Sequence, residues 1–102
     1  MIRVYDLAHS RAGDKSDTSN ISVIAYDDRA WRILSEQLTE ERVAVAFAHI
    51  AAGPVRRYEL PKLRALNFVL ERALGGGVTR SLAQDAHGKS LSALMLTIEL
   101  PG

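Results

Sequence analysis

The hydrophobic positions of the chain fall into short runs whose spacing changes from one run to the next. Ile2, Val4 and Ala8 fall on one side of an extended chain and Tyr5 and Leu7 on the other, so residues 1–9 read as an inner strand. Asp6 lies on the Val4 side and needs a partner there. Polar residues hold the chain from Ser10 to Asn20, which reads as a loop, and Ile21–Tyr26 resumes as a β-branched strand. Asp27 or Asp28 suits the N-cap of a helix carrying Trp31, Leu34 and Leu38 at i, i+3 and i+7. Thr39 caps a second helix, with Glu40 and Glu41 at its positive end and Val43, Phe47 and Ile50 as its stripe. Residues 42–49 also alternate as a strand does; the cap decides for helix.

Gly53-Pro54 breaks the pattern, and Val55–Leu60 reads as a strand with Tyr58 and Leu60 on one face. Pro61 stands at a helix start, and Leu63, Leu66, Leu70 and Leu74 predict a helix over residues 62–74, closed by Gly75 at the left-handed position. Val78–Ala83 reads as a strand, Asp85–Lys89 as a hairpin loop, and Leu91–Leu100 as a last strand with Leu94, Leu96, Ile98 and Leu100 on one face. The predicted order is β-β-α-α-β-α-β-β. One sheet with helices on one face, a two-layer α/β sandwich, is the economical arrangement.

Composition narrows the class. A chain of 102 residues is expected to be a single domain over 1–102 and is long enough to bury a core without staples. Apolar residues at 47% and charged residues at 25% are ordinary for a globular protein, and a net charge of +1 argues against a nucleic-acid binder. The absence of cysteine excludes a disulfide framework, a cysteine nucleophile and a cysteine-ligated metal. No apolar run reaches membrane-spanning length and no signal peptide is visible, so a soluble, cytoplasmic protein with no membrane partner is expected.

Chemistry concentrates between His9 and Asn20. That stretch holds two acids, Asp14 and Asp17, two bases, Arg11 and Lys15, one histidine and four hydroxyls. A solvated connection has much the same composition, because Asp, Ser, Thr and Asn satisfy their own backbone. Length favours a binding loop, since adjacent antiparallel strands usually join through about two to five residues. Gly13-Asp14-Lys15-Ser16 lacks the glycine before lysine that a phosphate-binding P-loop requires. Asp14, Asp17 and Asn20 offer oxygen at spacing three, yet the calcium-loop signature is absent, and neither a metal nor a cofactor is expected. His9 with Asp14 or Asp17 can do acid–base work, although a histidine at a strand end is more often structural.

Three further features stand out. Gly75, Gly76 and Gly77 either cap a helix or let a backbone approach closely. Arg80 either pairs with an acid such as Asp6 or clamps an anion. Asn67 occupies the predicted Leu63–Leu70–Leu74 stripe, where its amide needs a neighbouring backbone or a ligand. His49 and His87 receive no role.

Four runs carry a family resemblance: His9–Asn20, Tyr58-Glu59-Leu60-Pro61, Ala65-Leu66-Asn67-Phe68-Val69-Leu70, and Ala73-Leu74-Gly75-Gly76-Gly77. Together they resemble the small C-terminal domain of the acyclic terpene utilisation (AtuA-like) family, which also occurs as a separate short protein. Members tend to read His-Ala-Arg-Ser-Gly-Asp-Lys-Gly-Asp-Thr in the first run. Arg11, Asp14, Lys15 and Asp17 match the charged positions, whereas Ser16 stands where glycine is usual. The resemblance implies a ferredoxin-like α+β fold with one mainly antiparallel sheet. It also implies a large AtuA-like partner and a role in the breakdown of branched or terpenoid acyl compounds, as acyl-CoA thioesters. It carries over no catalytic set.

The leading expectation is therefore a small subunit that docks on a large AtuA-like protein and completes its site. A stand-alone lyase or hydratase acting on acyl-CoA and a self-associating, homo-oligomeric ligand-binding regulator are the alternatives. The binding or interface candidates are His9, Arg11, Gly13, Asp14, Lys15, Asp17, Asn20, Asn67, Gly75, Gly76, Gly77 and Arg80.

Overall fold

A computed structural model describes residues 1–15, 18–48, 53–71 and 89–102, with residues 14, 15, 89 and 90 described by their backbone alone. The elements are β1 (Ile2–Arg3), α1 (Val4–Leu7), β2 (Ala8–Lys15), β3 (Thr18–Ala25), α2 (Asp28–Gln37), α3 (Glu40–Ala46), β4 (Val55–Leu60), a 3-10 turn (Pro61–Leu63), β5 (Ala65–Leu70), α4 (Lys89–Thr97) and β6 (Glu99–Leu100). Four strands form an antiparallel sheet in the order β2-β3-β5-β4, and β1 pairs with β6 in a two-stranded ribbon. Because β5 is antiparallel to both β3 and β4, those two run parallel with β5 between them. The unit β3–α2–α3–β4 is thus a split β-α-β, the hallmark of ferredoxin-like folds.

Alternation along the strands sorts the sheet into two faces. Ile21 and Val23 of β3 and Leu66, Phe68 and Leu70 of β5 point to the helix layer and are buried. Leu34 of α2 and its C-cap Leu38, Val43 of α3 and its C-cap Phe47, and Leu91 and Met95 from α4 close over them in one core. Each such side chain contributes about 1.5–3 kcal/mol through the water it sheds. The helices therefore lie on one face of the sheet, as the sequence pattern implies.

Local signals place α2 and α3 correctly. The Asp27 carboxylate accepts from the Ala30 amide at 2.8 Å, and Thr39 Oγ1 accepts from the Arg42 amide at 3.1 Å. The strand predicted over Val55–Leu60 is β4.

Four expectations change. Residues 1–9 do not run as one strand: the chain turns through α1, whose Val4 and Leu7 are buried. The Arg3 amide donates to the Asp6 carboxylate at 3.2 Å and starts the turn, and Asp6 is exposed rather than on the buried Val4 side. Over its described residues, 10–15 and 18–20, the predicted Ser10–Asn20 loop is instead the facing ends of β2 and β3, paired from Ala8↔Ala25 to Lys15↔Thr18. Those residues satisfy their backbone through the ladder.

Over its described residues, the helix predicted for 62–74 is replaced by the 3-10 turn and β5. Leu66, Phe68 and Leu70 follow strand alternation, Leu63 is exposed, and Arg64 takes a left-handed φ of 52° that reverses the chain into a hairpin with β4. The strand predicted over 91–100 is mostly α4, because Leu91, Met95 and Ile98 are buried at i, i+4 and i+7. The strand at 78–83, Ile50, Leu74, His49 and His87 lie outside the described residues; of the hairpin predicted over 85–89 only Lys89 is described, and it begins α4. Gly53 is needed where it stands, since an added Cβ would meet the Glu71 carbonyl oxygen at 2.6 Å.

Two arginines tie the layers together. Arg57, with only 14% of its side chain exposed, donates to the Ser35 carbonyl at 3.0 Å and the Leu38 carbonyl at 2.8 Å. It also pairs with Glu59. These bonds occupy carbonyls at the carboxyl end of α2, where helices leave acceptors unpaired. The Arg57 amide donates to Glu40 of α3 at 2.7 Å, which covers the outer edge of β4. Arg64 reaches Asp28 at 2.8 Å and fixes the hairpin turn to the start of α2.

Candidate functional site

Register decides which candidate residues meet. On the sheet face away from the helices, rows of residues run across the four strands. The first row is His9, Ile24, Ala65 and Leu60; the second is Arg11, Ser22, Asn67 and Tyr58; the third is Gly13, Asn20, Val69 and Arg56. Lys15 and Thr18 begin a fourth. Five residues chosen from sequence, His9, Arg11, Gly13, Asn20 and Asn67, share this face, and the register position of Lys15 belongs to it as well. Asp14 takes a position of the opposite set, across from Ser19. Asp17, Gly75, Gly76, Gly77 and Arg80 lie outside the described residues.

Asn67 is not a misfit on a helix stripe. It stands half-buried at the centre of the open face, and the Ser22 hydroxyl donates to its Oδ1 at a long 3.5 Å. His9 is exposed, and its ring lies beside that of Tyr26, with centroids 5.8 Å apart. Among the described residues no carboxylate bonds His9, and no group of three or more His, Asp or Glu side chains could hold a metal ion. A histidine whose exposed ring lies tilted against a tyrosine is placed to contact a partner group.

The face is polarised. None of the open-face positions in the three full rows carries a carboxylate, and Arg11 makes no ion pair among the described residues. Arg56 is answered at the rim by Glu71 at 3.3 Å. At the other end and along β4, Tyr58, Leu60, Leu63 and Tyr26 are 50%, 44%, 66% and 61% exposed. A hollow of about 470 Å³ lined by Glu59–Leu63 adjoins them. Sequence reasoning passed over Arg56, Tyr58, Leu60 and Ser22. Alternation in Val55–Leu60 already put Arg56, Tyr58 and Leu60 on one side; what it lacked was the pairing that set them beside Asn67.

One helix-side feature is also unusual. The Ser10 hydroxyl is buried on the core side of β2 with no hydrogen-bond partner among the described residues.

A split β-α-β unit under one layer of helices, with the opposite sheet face covered by no described residue, defines a ferredoxin-like α+β domain. The chain belongs to the AtuA ferredoxin-like domain family, whose profile matches residues 2–101. No curated protein matches it, and no solved structure does. No helix among the described residues is long and apolar enough to cross a membrane.

Proposed function

We propose that the chain is a small, non-catalytic or site-completing subunit that associates with a large AtuA-like protein in the catabolism of branched or terpenoid acyl compounds, with acyl-CoA thioesters as the substrate class. The observation that supports this reading is the gathering of His9, Arg11, Gly13, Asn20 and Asn67 on one open sheet face without an oriented catalytic pair among them. Polar and cationic groups spread over a surface suit recognition by a second protein, whereas catalysis needs them convergent on one reacting atom.

The test is co-expression with the large AtuA-like protein, followed by co-purification and turnover of branched acyl-CoA substrates. A stoichiometric complex whose turnover depends on the small chain is the expected result. Turnover by the isolated chain that collapses on His9→Ala or Asp14→Asn would instead make it an enzyme in its own right. A chain that never associates and leaves the large protein's turnover unchanged would end the subunit reading.

A further inference from the structure

We infer that the docking surface is the open face of the four-stranded sheet, and that its occupant is a protein surface with an apolar patch at one end, a polar middle and a carboxylate at the other end. This rests on the subunit reading above and adds the face and the chemistry of the partner.

The first support is the distribution of exposed apolar groups. Tyr26, Tyr58, Leu60 and Leu63 gather at one end of the sheet and along β4. Single exposed apolar residues are ordinary, but a cluster of them marks an interaction site. The second is charge. Arg11 lies on the far edge strand, about 14 Å from β4 at three inter-strand spacings. It has no carboxylate among the open-face positions of the three rows and no ion pair among the described residues. A surface that answers both features places apolar side chains over Tyr58 and Leu60 and a carboxylate over Arg11. Ser22, Asn20 and Asn67 between them offer hydroxyl and amide groups to a polar middle. Tyrosine and arginine are also the residue types that most often dominate interface energetics.

The same charge pattern disfavours a second copy of this chain. In a two-fold dimer a patch meets itself, so the Arg11 edge and Arg56 would face a surface equally without open-face carboxylates. The alternative edge-to-edge route is obstructed on the β4 side, where Glu40 occupies the Arg57 amide.

The experiment compares wild type with Arg11→Glu, Tyr58→Ala and Arg32→Glu, each checked for folding by thermal unfolding, in titrations against the purified large AtuA-like protein. Arg32 is exposed on α2, on the helix side, and carries the same charge change as the first variant. The expected result is a loss of affinity of about tenfold or more for Arg11→Glu and for Tyr58→Ala, with Arg32→Glu close to wild type. Should Arg11→Glu fail to fold, Arg11→Gln replaces it, with a smaller loss in the same direction. Wild-type affinity in both open-face variants, with the complex intact, overturns the face assignment and leaves the subunit reading standing. Sedimentation of the isolated chain supplies the second arm: a dimer abolished by Tyr58→Ala makes a second copy the occupant and overturns the acidic partner. No binding by wild type removes the subunit reading and the docking face together.

Discussion

Ser10 carries a hydroxyl that the fold gives no use. It is buried against the helix layer without a partner among the described residues, at a strand position between Ala8 and Ala12. An unpaired buried hydroxyl costs about 1–3 kcal/mol of desolvation that no hydrogen bond returns. Ser10→Ala removes the group and is expected to raise stability by about 1 kcal/mol, which shifts Tm upward by about 4–8 °C in a domain near this size. Differential scanning calorimetry reads it, and a lower Tm would show that the hydroxyl is engaged. Asn67 makes the opposite case: its amide is polar on a face that is itself polar, with Ser22 beside it, so the same residue that looks misplaced on a helix stripe is at home on a strand.

At the scale of elements, Arg57 is where the sheet and the helices are joined. Its guanidinium takes two carbonyls at the end of α2 and its amide takes Glu40 from α3, so one residue of β4 fixes both helices. Replacing it by leucine strands those carbonyls and leaves Glu59 without its partner. The expected cost is about 2–3 kcal/mol, read as a lower urea midpoint with unchanged slope. Arg56→Leu, which breaks only the exposed pair with Glu71, is expected to cost under about 1 kcal/mol. Equal losses from the two would mean that the α2 carbonyls do not depend on Arg57. The caps on α2 and α3 show how an element becomes legible: Asp27 and Thr39 act on amides three residues away, so the signal and its effect lie within one turn of sequence.

At the scale of the molecule, the two faces of the sheet have separate work. One is sealed by α2, α3 and α4 and holds the core; the other carries Arg11, Asn20, Asn67 and Tyr58 into solvent. If that open face receives a carboxylate-bearing partner, association should be steered by Arg11 and weaken as salt screens it. The association rate is expected to fall by about tenfold from low to high ionic strength while dissociation changes little, the apolar contact at Tyr58 and Leu60 being insensitive to screening. Stopped-flow or surface-binding kinetics across a salt series measures both rates. A salt-independent association rate would remove Arg11 from the encounter.

The sequence by itself determined the capped helices α2 and α3, the strand Val55–Leu60, the β-branched strand that begins at Ile21, and the concentration of charged and polar chemistry between His9 and Asn20. All of these follow from interactions within a few residues or from composition. Only the tertiary structure decided that this polar stretch is a strand pair, because its backbone bonds are satisfied by another strand. Only it turned residues 65–70 from helix to strand as well, because Leu63, Leu66 and Leu70 fit the helical spacing while Leu66, Phe68 and Leu70 fit the pleat, and pairing on both sides by β3 and β4 settles between them. The gathering of His9, Arg11, Asn20, Asn67 and Tyr58 on one face belongs to the same class. It depends on register across strands up to dozens of residues apart, which local sequence spacing does not encode.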